Sequence, residues 1–219
     1  MPPSPRPPHS LHPPKLYAIV DADLCGVAGR APADVARAFL TAGAQWLQLR
    51  CKNLGSAAFL ELTNIVVEDA QAAGAIVFVN DRADVARAAG APGLHVGQDD
   101  LTPTDARVVV GPSVLIGLST HRRAQWESAV GEPISYVAVG PAFSTGTKNT
   151  GYEAIGLGVV REAAAFASAN ALPTVAIGGI TLENAIAVID AGASSVAVIS
   201  DLLRGNPEAR CRQFLRALG

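Results

Sequence analysis

Tyr136-Val-Ala-Val139 runs directly into Gly140-Pro-Ala-Phe-Ser-Thr-Gly-Thr-Lys148. Four apolar residues bounded by glycine read as a short buried strand. The segment after it offers hydroxyls, permissive backbone and one fixed cation, which is the mixture that binds phosphate. Taken alone it reads equally well as a Gly/Ser/Thr connector, since turns favour these residues anyway. What decides the fold is whether this unit, an apolar strand ending in polar or glycine residues, recurs.

It recurs eight times. The expected strands are Leu16–Val20, Trp46–Leu49, Ile76–Val79, Gly93–Val96, Val114–Leu118, Tyr136–Val139, Thr174–Ile177 and Ser195–Ile199. Most are near-continuous apolar runs, as expected of parallel strands covered on both faces. Helical spacing fills the gaps. Pro32–Ala44 places Val35, Ala36, Phe39 and Leu40 on one face, with Pro32 in the first turn. Ser56–Ala73 does the same with Phe59, Leu60, Ile65 and Val66. Thr181 is expected to cap a helix opening at Thr181-Leu-Glu-Asn184, and Gly43, Gly74, Gly90 and Gly192 to stop helices. Eight strand–helix units with short connections predict an α/β single-domain (β/α)8 (TIM) barrel over residues 16–219. An open doubly wound sheet is the alternative, but no Gly-x-Gly-x-x-Gly follows the first strand.

Residues 1–15 form a proline-rich tail, expected to be disordered or extended and either functionally silent or a docking segment, and lack the apolar middle of a signal peptide. The net charge of −2 over 219 residues gives no electrostatic reason to expect nucleic acid or an anionic membrane as partner. No apolar run is long enough to span a bilayer. Cys25, Cys51 and Cys211 are odd in number and far apart, which suggests neither a disulfide framework nor a zinc site and points to a cytoplasmic location. Homo-oligomerisation is left open.

In a barrel the site lies at the C-terminal strand ends, and these are polar here. Gln48, Arg50 and Lys52 alternate after strand 2 and would face one side as an anion clamp or as a solvated rim. Strand 3 ends in Asn80-Asp81-Arg82 and strand 4 in His95-Val-Gly-Gln-Asp-Asp100. One carboxylate from each end would suit magnesium, which takes one or two protein carboxylates plus phosphate oxygens; Asp81 or Asp99 could instead cap a helix. His95 reads first as a satisfied core histidine. Ser119 is a candidate phosphate donor and His121 a helix-start residue, while Asp21 and Asp23 have no clear partner and read as rim. Gly179 and Ser200, after strands 7 and 8, suit a phosphate site, although tight turning alone would explain Gly178 and Gly179. These parts exceed what one monophosphate needs and fit two phosphorylated ligands, one a metal-bound diphosphate.

The set Gln48-x-Arg50-x-Lys52, Asn80-Asp81-Arg82, His95-x-Gly97-Gln98-x-Asp100, Gly117-x-Ser119-x-His121, Gly140-Pro141-x-Phe143-x-Thr145-x-Thr147-Lys148, Gly178-Gly179-Ile180 and Ile199-Ser200 resembles the thiamine-phosphate synthase (thiamine-phosphate pyrophosphorylase) family. The likeness runs from about Leu16 to Leu203. It implies a transferase that joins hydroxymethylpyrimidine diphosphate to thiazole phosphate or its 2-carboxylate, giving thiamine phosphate and pyrophosphate. By position it implies that Gln48, Arg50, Lys52 and Asn80 bind the pyrimidine diphosphate and that Asp81 and Asp100 hold Mg2+. It further implies that Ser119 and Lys148 contact the diphosphate, and that Thr145, Thr147, Gly179, Ile199 and Ser200 hold the thiazole phosphate. Arg50, Lys52 and Lys148 would be the groups that assist departure. The family's pattern is broken at Cys51, Gly146 and Asn149, where an acidic, a bulkier and a basic residue are common. A related thiazole tautomerase, or a non-catalytic phosphate-binding regulator, are the alternatives. The tautomerase would not need the full diphosphate clamp.

Overall fold

A computed structural model describes residues 11–144 and 153–219. Eight parallel strands close into a barrel in sequence order: β1 Leu16–Asp21, β2 Trp46–Arg50, β3 Ile76–Asn80, β4 Gly93–Val96, β5 Leu115–Thr120, β6 Tyr136–Val139, β7 Thr174–Ile177 and β8 Ser195–Val198. β8 pairs back onto β1, with Tyr17 beside Ala197. The helices wrap the outside: α1 Ala22–Val27, α2 Pro32–Ala42, α3 Ser56–Ala72, α4 Ala83–Ala88, α5 Pro103–Val110, α6 Arg123–Ala129, α7 Gly156–Ala169, α8 Ala185–Asp190 and α9 Pro207–Leu218. The expected strands are all present, shifted by at most two residues at their ends.

Two helical expectations shift. The buried face of α3 is Phe59, Thr63, Val66 and Ala70, a steeper stripe than the one read from Leu60 and Ile65. The helix expected to open at Thr181 begins instead at Ala185. The Asn184 side chain ties the entry turn: its Oδ1 accepts the Thr181 N–H at 2.8 Å and its Nδ2 donates to the Gly179 carbonyl at 3.0 Å. The Ala185 N–H bonds the Thr181 carbonyl at 3.0 Å, so the chain begins to turn at Thr181 and becomes regular helix from Ala185. Gly43, Gly74, Gly90 and Gly192 all have left-handed φ at helix ends, as expected.

The barrel interior is a packed core. Tyr17, Trp46, Phe78 and Tyr136 meet at its base, with Trp46 and Phe78 centroids 4.8 Å apart and Tyr17 and Tyr136 centroids 6.0 Å apart in an edge-on pair. Such pairing adds to the burial of large apolar area. Four rings fit because β4 and β5 present no side chain there. A methyl at Gly93 would lie 2.4 Å from Phe78, and one at Gly117 would lie 2.0 Å from Tyr136 Cζ. Gly117→Ala is therefore expected to destabilise the fold toward the upper end of the overpacking range of about 1–3 kcal/mol. A urea unfolding midpoint no lower than wild type would contradict this packing. Leu11 also packs against this inner cluster, so the last residues of the proline-rich segment lie on the barrel.

Candidate functional site

The C-terminal mouth gathers most of the expected residues through register. β1 and β2 place Asp21 beside Arg50, and β3 and β4 place Asn80 beside His95. Arg50 is one-sixth exposed and donates from its guanidinium to Asp21 at 2.5 Å. Asp21 is not a rim residue: it is buried, and its other oxygen caps α1 by accepting the Leu24 N–H at 3.1 Å. Asp23 lies farther out and accepts from Asn53 at 3.0 Å. Lys52 is half-exposed and pairs with Asp81.

The two expected metal carboxylates share one space. The side chains of Asp81 and Asp100 are in hydrogen-bonding reach of each other, and Lys52 also donates to Asp81. Burial, with the neighbouring Asp100 carboxylate, raises the Asp81 pKa from its ordinary value, although the Lys52 hydrogen bond pulls it down. Asp81 has φ +65°, a left-handed conformation that aspartate and asparagine tolerate better than most residues. Its N–H is tied to the His95 carbonyl at 2.8 Å. Asp100 accepts the Gly97 N–H at 2.7 Å. Asp99 is exposed and is not the cap of the next helix; Thr102 caps α5 by accepting the Asp105 N–H at 3.1 Å. Among the described residues no three His, Cys, Asp or Glu side chains are placed to enclose a metal by themselves. A pair of carboxylates suits a cation that completes its shell with water and substrate oxygens.

Beneath these groups a buried polar chain crosses the barrel. Gln48 Nε2 donates to the Tyr17 hydroxyl at 3.1 Å, and that hydroxyl lies 3.1 Å from the Tyr136 hydroxyl. The Tyr136 hydroxyl is 2.8 Å from His95 Nδ1, and His95 Nε2 is 2.8 Å from Ser119 Oγ. Burial pushes both phenols well above their ordinary pKa, so they stay neutral. His95 is thus the satisfied histidine expected, and its second nitrogen contacts Ser119, the candidate phosphate donor. Gln98 ties the neighbouring loop to the Ser119 carbonyl at 2.7 Å.

On the far side, Gly179, Ile199 and Ser200 sit at the ends of adjacent strands β7 and β8. Gly178 and Gly179 have φ of +101° and +62° and pack against the segment after β6. A methyl at Gly178 would lie 2.5 Å from Pro141, and one at Gly179 would lie 2.6 Å from the Ser144 carbonyl. Phe143 N–H bonds the Gly178 carbonyl at 3.0 Å, and His121 Nδ1 lies 2.6 Å from the Gly140 carbonyl. Close backbone packing therefore already requires both glycines. Thr145, Thr147 and Lys148, with Gly146 and Asn149, lie outside the described residues.

The thiamine monophosphate synthase family profile matches residues 16–202, which includes every strand and the whole mouth. The chain belongs to the thiamine monophosphate synthase family. Among the relatives of this family, a thiamine-phosphate synthase from Koribacter versatilis is 44% identical over 94% of this chain and 96% of its own. One from Mycobacterium sp. (strain KMS) is 43% identical over 89% of this chain and 91% of its own. The solved thiamine phosphate pyrophosphorylase from Pyrococcus furiosus superposes with a TM-score of 0.84 at 28% identity, covering 93% of this chain and 95% of that one. Within the family's usual pattern the departing Cys51 is buried, and burial pushes its thiol up to about 12. At that value it carries no charge at neutral pH, so no carboxylate-like group stands there. Cys25 and Cys211 are likewise buried and free.

Proposed function

We propose that this protein is a thiamine-phosphate synthase, a transferase that moves the aminopyrimidinylmethyl group from diphosphate to the nitrogen of thiazole phosphate, or of its 2-carboxylate, releasing pyrophosphate. The observation that carries this reading is the approach of Asp81 and Asp100 at the barrel mouth, with Lys52 paired to Asp81 and Arg50, held by Asp21, on the adjoining strand β2. That constellation suits a diphosphate with a hard divalent cation and exceeds the needs of a monophosphate ligand. Asp81 and Asp100 would hold Mg2+, which when bound supplies charge stabilisation to the leaving diphosphate.

The remaining work belongs to side chains. Arg50 and Lys52 take up charge that grows on the departing oxygens, and Asn80 and Ser119 orient the diphosphate. Gln48, on the pocket floor, positions the pyrimidine. Gly179, Ile199 and Ser200, with Thr145 and Thr147, hold the thiazole phosphate so that its nitrogen faces the forming cation. Positioning of this kind contributes about 7–11 kcal/mol in well-oriented systems, which is why a site without a dedicated nucleophile suffices.

Among the described residues no helix is long and apolar enough to cross a membrane, and a cytoplasmic location is part of the proposal. Incubating the pure protein with both phosphorylated substrates, with and without Mg2+, tests it. Metal-dependent appearance of thiamine phosphate and pyrophosphate is expected; bound substrates without turnover would instead support a regulator, and turnover of the thiazole phosphate alone a tautomerase. Lys148→Ala should lower kcat by about tenfold or more while changing KM little, because leaving-group charge is greatest in the transition state. A change in KM alone, read from steady-state kinetics, would remove Lys148 from that role.

A further inference from the structure

We propose that His95 is a positioning residue, held as its Nε2–H tautomer by the Tyr17–Tyr136 pair, and that it turns the Ser119 hydroxyl hydrogen toward the bound diphosphate. The inference rests on the reading of Ser119 as a diphosphate contact. It comes from counting protons along the buried chain. Among the described residues the Tyr17 oxygen has two polar neighbours, Gln48 Nε2 and the Tyr136 hydroxyl. The contact between the two phenols allows either to donate, because a hydroxyl hydrogen rotates; an amide nitrogen only donates, so among the described residues Tyr17's own hydrogen has one acceptor, the Tyr136 oxygen. A hydrogen stranded at this depth would forfeit its solvation with nothing in return.

The rest of the chain follows in one direction. Tyr136, accepting from Tyr17, spends its hydrogen on His95 Nδ1 at 2.8 Å. A neutral imidazole with Nδ1 as acceptor carries its proton on Nε2. Nε2–H then donates to Ser119 Oγ at 2.8 Å. Ser119 thereby receives a hydrogen bond from below, and its own hydrogen is left for the site. Successive donors of one sense polarise each other, so the last hydroxyl is a better anion donor than an isolated serine. The opposite polarity would need Gln48 to present its amide oxygen to Tyr17. The proton would then sit on Nδ1, and Ser119 would spend its hydrogen on Nε2, leaving only lone pairs toward an anion.

The geometry is held by packing as well as by hydrogen bonds. Tyr136 lies in the space that Gly117 leaves open, and its ring stacks against His95 at 5.7 Å. His95 itself is 7% exposed, so water does not compete for the chain.

Nitrogen-15 NMR of the ligand-free, histidine-labelled protein at neutral pH reads the tautomer directly, with the His95 signals assigned by their loss in His95→Gln. A protonated Nε2 beside a bare Nδ1 is expected. A proton on Nδ1, or on both nitrogens, overturns the inference. Tyr136→Phe keeps the ring packing but removes the donor to Nδ1, and should shift the Nδ1 resonance.

In kinetics His95→Leu should lower kcat/KM by roughly tenfold to a hundredfold, the loss of about one aimed donor or less, and His95→Gln, which keeps an N–H in reach of Ser119, should recover part of it. Ser119→Ala added to His95→Leu should cost almost nothing more, because the two act as one unit. Losses that multiply would show that His95 does not act through Ser119. Should His95→Leu fail to fold, Tyr136→Phe replaces it in the same cycle. The NMR result is independent of turnover, so an inactive protein with the expected tautomer refutes the functional reading alone, and an active one with the other tautomer refutes this inference alone.

Discussion

Asp81→Asn is expected to fold at least as well as the wild type and to lose about three orders of magnitude in kcat/KM. The two halves of that expectation have one cause. In the ligand-free protein Asp81 lies against Asp100, partly withdrawn from water. Two carboxylates in contact disfavour each other's charge, so the pair is a cost that the fold carries for another purpose. Asparagine removes one charge, keeps the size, and accepts the left-handed backbone at this position more readily than alanine would. Losing a cation clamp on a departing phosphate forfeits several kcal/mol of transition-state stabilisation, and each 1.36 kcal/mol is about tenfold in rate. Asp100→Asn should lose activity similarly, but it also weakens the turn held by the Gly97 N–H, so its stability should fall slightly.

The pH dependence of stability follows with a definite sign. The Asp81 pKa is raised in the folded protein, so the folded state binds that proton more tightly than the unfolded chain does. Its contribution is full below the ordinary carboxylate value and is lost as pH rises through the raised one. Asp81→Asn should remove this part of the decline, making the melting temperature less dependent on pH just above the ordinary carboxylate value. Full Mg2+-dependent turnover in both asparagine variants would remove the metal assignment; a normal fold with no turnover would sustain it.

The fold was legible because a parallel barrel writes its strands as near-continuous apolar runs, and Leu47, Val79, Ile116 and Val137 are all buried as such runs require. The candidate residues Gln48, Arg50, Asn80, Asp81 and Asp100 could be picked out because each lies in or just after the C-terminal half of a strand. What stayed hidden depends on pairing between distant segments. The Tyr17–Tyr136 hydroxyl contact spans 119 residues, and nothing local marks either tyrosine as a member of a polar chain. Gly93 and Gly117 did carry a signal, since glycine inside a strand marks close approach by another group. It could have disclosed the aromatic layer. Asp21 was misread as rim because a carboxylate after a strand looks solvated until β1 and β2 are laid side by side. Once the barrel is accepted, their register puts it opposite Arg50. The turn over residues 181–184 that precedes α8 is tied by two Asn184 hydrogen bonds back to Thr181 and Gly179, which a helix-start reading of Thr181 alone does not foresee.

Arg50→Met should be damaged in both stability and chemistry, and that double loss sets it apart from Asp81→Asn. Asp21 is 2% exposed and Arg50 is its charged partner at 2.5 Å. Methionine keeps much of the side-chain volume but leaves a buried carboxylate whose remaining bond, among the described residues, is the one from the Leu24 N–H. Removing one member of a buried ion pair typically costs about 3–5 kcal/mol, a large share of a typical domain's stability. Turnover should fall by about a hundredfold or more, as for loss of one preorganised charged donor. Arg50→Lys retains the charge without the planar fork, and should recover stability better than activity. Asp21→Asn completes the set: asparagine caps a helix as well as aspartate does, so α1 should survive, while Arg50 is released from its anchor. With its guanidinium free to wander, the variant should show a weaker grip on diphosphate, seen as a raised KM, with kcat reduced less than in Arg50→Met. Equal kcat and KM in Asp21→Asn and wild type would mean that the ion pair serves the fold alone and does not aim the arginine.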